Sequence, residues 1–317
     1  MMKKRLAALL AVVGVLLGLA GQAWALSIGA NVTAQTGTGG TVTDSKSGPP
    51  PSTVKASVVS LSPSDSALTS AVATTAGDLS TAVYAGGFGR GSWINNINNE
   101  SYSAQAVSTW SLGISNTTAG AKAYTLDLSI VDGFLNTRRI SGAVPGDFAT
   151  ASISLEVTLD SSVVWSNTTT LHQIYPSTAP PTLTAAGTST TPFGGGSLSL
   201  VDSGSTYSEW EYEWSPFTLS IPLGTLAPGG SSTVGYTLTA SVSGSIHNSS
   251  SDASSDALLG DPPQLYSTGG GGPFYGTGVG VSITSSPAAV PEPSTLLLTG
   301  AAVFLGLTAA GRLGRSA

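Results

Sequence analysis

The stretch VGYTLTASV, residues 234–242, alternates apolar side chains with small or hydroxyl-bearing ones. Successive side chains of a β-strand point to opposite sides, so this period of two predicts a strand with one buried face. The same alternation occurs in AYTLDLSI (residues 123–130), in SISLEVTLD (residues 152–160) and around Trp110. The residues predicted to face the core are Tyr124, Leu126, Leu128, Ile130, Ile153, Leu155, Val157, Leu159, Val234, Tyr236, Leu238, Ala240 and Val242, together with Trp110, Leu112 and Ile114.

Short turn signals separate these strands and indicate the fold class. Asp-Gly at 132–133, Asp-Ser at 160–161 and Pro-Gly-Gly at 228–230 are sequences that favour tight turns. Many half-buried strands joined by short turns predict a mainly β protein, an antiparallel β-sandwich of the immunoglobulin-like or jelly-roll type. Residues 67–79 form the one stretch of the body whose pattern also suits a helix.

Changes in composition divide the chain into a body and flanking segments. We assign residues 56–286 to the β-sandwich body, a length that fits one large sandwich or two smaller domains. Residues 26–55 are rich in Gly, Thr and Ser and contain three consecutive prolines at 49–51. Because proline cannot donate a backbone hydrogen bond, this segment is expected to be a flexible arm or a set of edge strands.

Composition narrows the classes of partner and chemistry. The chain contains no cysteine, which excludes disulfides, thiol nucleophiles and thiolate metal sites. Charged residues make up only 9% of the chain, and the formal net charge is −6. Nucleic acid is therefore not an expected partner, because neutralising phosphates requires clustered Lys and Arg. Serine and threonine fill the positions that charges usually occupy, so we expect a surface hydrated through hydroxyl groups.

The N-terminus has the layout of a secretory signal peptide, residues 1–25. The basic residues at 3–5 precede an apolar run at 6–20. Ala23 and Ala25 then match the small-x-small pattern that precedes a cleavage site, so cleavage is expected after Ala25. The alternative is an uncleaved N-terminal anchor, and in both cases the body is exported from the cytoplasm.

The C-terminal segment, residues 287–317, combines a proline motif, an apolar stretch and two arginines. Residues 294–311 are uncharged and long enough for a transmembrane helix. Arg312 and Arg315 are expected to stay on the cytoplasmic side, which places the body outside. Pro291 and Pro293 keep the chain extended at the outer end of this helix.

The sequence VPEPSTLLLTGAAVFLGLTAAGRLGR, beginning at residue 290, resembles the PEP-CTERM protein-sorting signal. The motif of that family falls on Pro291, Glu292 and Pro293, and its basic end on Arg312 and Arg315. The resemblance implies processing by an exosortase, an integral-membrane enzyme, in a Gram-negative bacterium that makes exopolysaccharide.

A looser resemblance concerns LGTLAPGGSSTVGYTLTASVSG, residues 223–244. It is similar to the turn-and-strand ending of bacterial immunoglobulin-like extracellular domains, which implies the same sandwich.

The motif EWEYEW, residues 209–214, has two interpretations. In a strand, Trp210, Tyr212 and Trp214 share one face. An exposed aromatic row is a candidate carbohydrate-binding surface, because sugar C–H groups pack well on aromatic rings. The competing interpretation is that the aromatic rings belong to the core and the glutamates face water. The glutamates suggest calcium only if other ligands join them, because on one straight strand they lie too far apart to chelate.

Candidate catalytic residues are few. Glu156 and Glu209 would suit a polysaccharide hydrolase only if their carboxyl groups faced one cleft. His172 and His247 are far apart in the sequence and lie in no metal-binding motif, so each is expected to be an ordinary hydrogen-bonded residue. The sequence therefore predicts no catalytic centre, no metal site and no cofactor.

These observations predict an exported, exosortase-processed, non-enzymatic protein. We expect transient anchoring in the inner membrane by the C-terminal helix, followed by a structural or adhesive role at the cell surface or in a biofilm matrix of exopolysaccharide. The alternatives are a carbohydrate-binding module that uses the aromatic row and a matrix polysaccharide hydrolase.

Overall fold

Extended backbone dominates the part of the chain that this computed structural model describes, which comprises residues 24–37, 40–48, 53–61, 65–74, 79–90, 100–140, 144–175, 179–203, 207–247, 252–260 and 279–288. Within those ranges the chain forms seventeen β-strands and one 3-10 turn, Phe193–Gly195, and no α-helix. The mainly β, antiparallel architecture expected from the sequence is confirmed. Residues 1–23 and 289–317, which include most of the expected signal peptide and the whole expected membrane helix, lie outside the described residues.

Seven strands form the first sheet, and its neighbours are antiparallel throughout. In spatial order they are β11 (Thr182–Gly187), β10 (Ser162–Ile174), β9 (Phe148–Leu159), β15 (Ser231–Ile246), β6 (Glu100–Ser115), β1 (Trp24–Thr36) and β2 (Gly40–Gly48). The segment at 26–55, expected as a flexible arm or edge strands, thus contributes most of an interior strand, β1, an edge strand, β2, and the first three residues of the next strand, β3. The strand β1 is interior because its backbone pairs with β6 on one side and with β2 on the other.

The remaining ten strands form the second sheet. They are β3 (Thr53–Leu61), β4 (Asp65–Thr74), β5 (Leu79–Arg90), β7 (Lys122–Ile130), β8 (Gly133–Ile140), β12 (Ser197–Ser203), β13 (Tyr207–Trp214), β14 (Phe217–Leu226), β16 (Asp252–Leu259) and β17 (Val279–Pro287). Most of residues 67–79, whose pattern also suited a helix, belongs to β4. Pairing of β4 with both β3 and β5 satisfies its backbone without a helix.

The core lies between the two sheets, where the alternating pattern placed it. The inward residues predicted on β7 and β15 are all buried, as are those predicted on β6. On β9 the predicted residues are buried except Leu159, which is half-buried. Trp110 and Tyr236 are cross-strand partners whose rings stack at 5.2 Å with an interplanar angle of 8°. One apolar cluster includes residues of both sheets and joins them.

The second sheet is interrupted along a line that crosses three neighbouring strand positions. β7 continues into β8 across residues 131–132, and β13 continues into β14 across residues 215–216. The register pairs Gly133 with Trp214 beside these interruptions. β16 ends, and β17 begins, at the same level, and both pair with β5. The hydrogen-bonded ladder of the second sheet is therefore broken along this line.

Trp214 packs at this break in the ladder. Its indole Nε1 donates a hydrogen bond to the carbonyl of Val131 at 3.2 Å. The ring of Phe193 meets the Trp214 ring edge-on, with centroids 5.4 Å apart. Gly133 makes room for the indole, because a Cβ at this position would overlap the Trp214 ring and lie 2.5 Å from the carbonyl oxygen of Leu258. The close approach of ring and backbone thus requires glycine at position 133.

We expect Gly133→Ala to lower the free energy of unfolding by about 1–3 kcal/mol, because the added methyl group overfills a packed interior. Gly120→Ala is the matched control, since a Cβ there meets no atom within 4 Å. Urea unfolding of the two variants checks this, and equal stabilities would contradict the role of Gly133 in making room for the Trp214 ring.

Candidate functional site

The aromatic row predicted on β13 is not a surface. Tyr212 and Trp214 are each 1% exposed, and Trp210, on the same inward side, is half-buried. The expectation of an exposed carbohydrate-binding row at these three residues is therefore wrong, and the competing core interpretation is correct. The inward position is favourable because burying large rings contributes more to stability than burying the glutamates that alternate with them.

The buried row instead helps to hold the 3-10 turn that connects the two sheets. The hydroxyl of Tyr212 accepts a hydrogen bond from the N–H of Gly196 at 2.8 Å and donates one to the carbonyl of Phe193 at 2.9 Å. On the opposite side, the N–H of Phe193 donates to the hydroxyl of Thr169 on β10 at 2.7 Å. This turn therefore joins β13 of the second sheet to β10 of the first.

The glutamates of β13 lie on the outward face of the second sheet. Glu209 accepts a hydrogen bond from the side-chain amide of Asn136 at 2.8 Å and lies 3.9 Å from the guanidinium of Arg138. On the same face, Asp256 accepts a hydrogen bond from the hydroxyl of Tyr84 at 2.7 Å. Across the described ranges, no group of three or more His, Asp or Glu side chains is arranged to hold a metal ion.

Two carboxyl groups of this face have raised pKa values. Burial raises the pKa of Asp256; the hydrogen bond from Tyr84 opposes the rise, and the charge of Glu209 adds to it. Burial also raises the pKa of Glu211, and the neighbouring charge of Glu213 adds to it. The face therefore holds carboxyl groups whose ionised forms are disfavoured in the folded protein.

The two acids considered as a hydrolase pair, Glu156 and Glu209, face outward from different sheets. Glu156 lies on β9 between two buried inward residues and so faces outward from the first sheet. Glu209 faces outward from the second sheet. Because the core lies between them, the two carboxyl groups do not face one cleft, and the expectation that they form a glycosidase pair is wrong.

Both histidines are hydrogen-bonded, as expected. His172 Nδ1 lies 2.8 Å from the hydroxyl of Thr150. His247 Nδ1 lies 3.1 Å from a carboxylate oxygen of Asp147, which is 1% exposed. The backbone N–H of His247 donates to the same oxygen at 2.7 Å, so the contact fixes the end of β15.

The outward face of the first sheet carries mostly hydroxyl-bearing side chains. Four rows of side chains cross it, three of them from β11 to β2 and the fourth from β10 to β2, and we call them together the hydroxyl face. Strand registers define the rows as Thr182, His172, Thr150, Ser243, Ser103, Gln35 and Thr41; Thr184, Thr170, Ser152, Ser241, Gln105, Thr33 and Thr43; Ala186, Thr168, Ser154, Thr239, Val107, Asn31 and Ser45; and Ser166, Glu156, Thr237, Thr109, Gly29 and Ser47.

Serine and threonine predominate in these rows, and Glu156 is the one carboxylate among them. Several hydroxyl groups bond to each other across strands, which fixes their orientation. Ser152 lies 3.0 Å from Thr170, and Ser154 lies 2.9 Å from Thr168, measured between hydroxyl oxygens. The surface is thus an ordered set of groups that both donate and accept hydrogen bonds.

A groove of about 360 Å³ crosses this face over β1, β6, β15 and β9. We call it the hydroxyl groove. Its polar lining consists of Thr33, Ser103, Gln105, Thr150, Ser241 and Ser243. The groove lies where the short side chains of Ser103, Ser241 and Ser243 are neighbours, with longer side chains such as Gln105 beside them. The sequence does not reveal it, because only the strand registers bring these residues together.

An apolar patch lies beside the groove. Phe148 precedes the groove residue Thr150 by two positions on β9, and therefore shares its face. Its ring centroid lies 5.9 Å from that of His172, at an interplanar angle of 43°. Its cross-strand partner Ile174 is 58% exposed. The groove is thus bordered at this end by ring and aliphatic surface.

Comparison with known proteins gives no assignment: no protein-family model matches the chain, and no curated protein is similar to it at a significant level.

The structure describes only a few residues of the two predicted terminal signals. Pro291, Glu292, Pro293, Arg312, Arg315 and Ala23 all lie outside the described residues. Ala25 is described: it belongs to β1, where it pairs with Leu112 just before a register shift. None of the helical segments in the described ranges has the length and apolar character needed to span a membrane.

We expect the contribution of Asp256 to the free energy of unfolding to fall as the pH rises above about 4, the ordinary range of a carboxyl group. A raised pKa means that the folded state holds the proton more tightly than the unfolded chain, so ionisation at higher pH disfavours folding. Asp256→Asn keeps an acceptor for Tyr84 but removes the titration, so its stability should depend less on pH and exceed that of the parent at pH 7.

Glu156→Gln is the control, because it removes one negative charge from the opposite face. Thermal unfolding of both variants from pH 4 to pH 8 tests the assignment. An Asp256→Asn protein that loses stability in parallel with the parent over this range would contradict it.

Proposed function

We propose that this chain is an exported, exosortase-sorted, non-enzymatic protein of the bacterial cell surface or exopolysaccharide matrix, with a structural or adhesive role. In this proposal the body is an immunoglobulin-like or jelly-roll β-sandwich. The signal peptide directs export, and the helix at 294–311 then holds the chain in the inner membrane. An exosortase acts near Pro291, Glu292 and Pro293 and releases the protein toward the surface of a Gram-negative cell.

The observation that carries the proposal is the hydroxyl face. A matrix protein must remain in contact with a hydrated polymer rather than turn it over. The four rows offer a broad area of hydroxyl groups, with one carboxylate and no lysine or arginine among them. Such a surface exchanges hydrogen bonds with water and with polymer hydroxyls alike, and its contacts depend little on salt.

The stability of the body also suits life outside the cytoplasm. The chain has no cysteine and so does not depend on oxidative folding. Instead, seven strands of one sheet pack on the second sheet through a continuous apolar cluster. Apolar burial of this kind persists in any redox environment.

Localisation tests the sorting proposal. We expect a tagged chain to reach the cell surface or medium in cells with the host exosortase and to accumulate in the inner membrane in cells without it. A variant lacking residues 287–317 is the control, and its location should not respond to the exosortase. An intact chain that distributes identically in both strains would overturn the proposal.

A further inference from the structure

We infer that the hydroxyl groove is a binding site for a chain of uncharged polysaccharide. This inference rests on the proposed function for its setting, since it names the polymer class that the hydroxyl face would contact. It places carbohydrate recognition on the outward face of the first sheet, and not on the buried aromatic row of β13 in the second.

The shape of the groove suits an extended polymer. It crosses four neighbouring strands, which at about 4.8 Å per strand spacing corresponds to a length on the order of 15 Å. Its volume of about 360 Å³ is within the range of small-ligand sites. It is open on the sheet surface, so a chain can continue beyond it at both ends along the same rows.

The chemistry of the lining matches sugar hydroxyl groups. Ser103, Ser241 and Ser243 offer hydroxyls that donate and accept, and the Gln105 side chain adds an amide that does both. The hydroxyl of Thr150 is held at 2.8 Å from His172 Nδ1. Because this hydroxyl group is already ordered, less side-chain entropy is lost at Thr150 when a ligand binds.

Hydroxyl contacts alone would be weak, because each replaces a comparable contact with water. The apolar patch beside the groove supplies the missing contribution. Phe148 and Ile174 border the groove, and sugar C–H faces pack favourably on such surfaces. A site with hydroxyls along its floor and a ring at its end is complementary to a sugar chain, which has polar edges and apolar faces.

Charge selects the class of polysaccharide. No lysine or arginine occurs among the residues that line the groove or the four rows around it. An acidic polymer would therefore lose hydration without gaining an ion pair. The nearest formal charge in the rows is the carboxylate of Glu156, which repels acidic chains. An uncharged polymer avoids both penalties.

The test is retention of the full chain, solubilised in mild detergent, on three insoluble neutral polysaccharides, namely cellulose, curdlan and mannan. Calcium alginate gel is the acidic comparison. We expect retention on at least one neutral polymer, little on alginate, and no change between low salt and about 0.5 M salt. Retention on none of the neutral polymers, or preferential retention on alginate that salt abolishes, would overturn the inference.

Two variants that introduce the same side chain on different sheets locate the site. Ser241→Gln fills the groove, whereas Thr218→Gln changes an exposed threonine of β14, on the second sheet. We expect Ser241→Gln to weaken binding about tenfold or more, with Thr218→Gln within about twofold of the parent. Equal losses in both variants, at unchanged unfolding midpoints, would show that the groove is not the site.

Phe148→Ala tests the apolar border separately. It should weaken binding to the neutral polymer while leaving the hydroxyl groove in place, and unchanged binding would remove the ring from the site. These outcomes are independent of sorting. A chain that binds neutral polysaccharide but ignores the exosortase disproves the sorting proposal alone, and a sorted chain that binds none disproves this inference alone.

Discussion

The structure depends on one constraint, the alternation of side chains along extended backbone. In strand after strand, every second residue is apolar and buried, and the residues between them are small and polar. The stacked pair Trp110 and Tyr236 illustrates the result, because pairing of β6 with β15 brings two rings together only on the inward side. A chain without cysteine relies on this burial for its stability, and the same alternation sends the hydroxyl groups outward.

The outward faces of the two sheets carry different side chains, although the same alternation along the strands produces both. On the first sheet the outward positions are mostly hydroxyl groups, which bond to one another and leave a shallow groove. On the second sheet they include carboxyl groups, and the pKa of Asp256 is raised by burial. The first face thus carries little charge, with Glu156 as the one carboxylate of its rows, whereas the second face carries a pH-dependent cost to folding.

The break in the ladder of the second sheet explains why the motif EWEYEW does not provide a surface site. Trp214 fills the line where β7 gives way to β8, and Tyr212 anchors the turn that passes between the sheets. Both rings are buried, and the lack of a side chain at Gly133 leaves room for the ring of Trp214. The aromatic ring beside the hydroxyl groove is therefore none of these. It is the ring of Phe148, on the outward face of β9.

The sequence by itself determined the strand class and nearly all of the predicted core, because the period of two is a local property that each segment displays independently. It left open which side of residues 209–214 faces inward, since both faces of that strand are chemically consistent and only its packing against Phe193 and Val131 decides. It also did not reveal the hydroxyl groove, whose members Thr33, Ser103 and Ser241 are distant in the chain. Their assembly depends on which strands pair and in what register, and those long-range hydrogen bonds exist only in the tertiary structure.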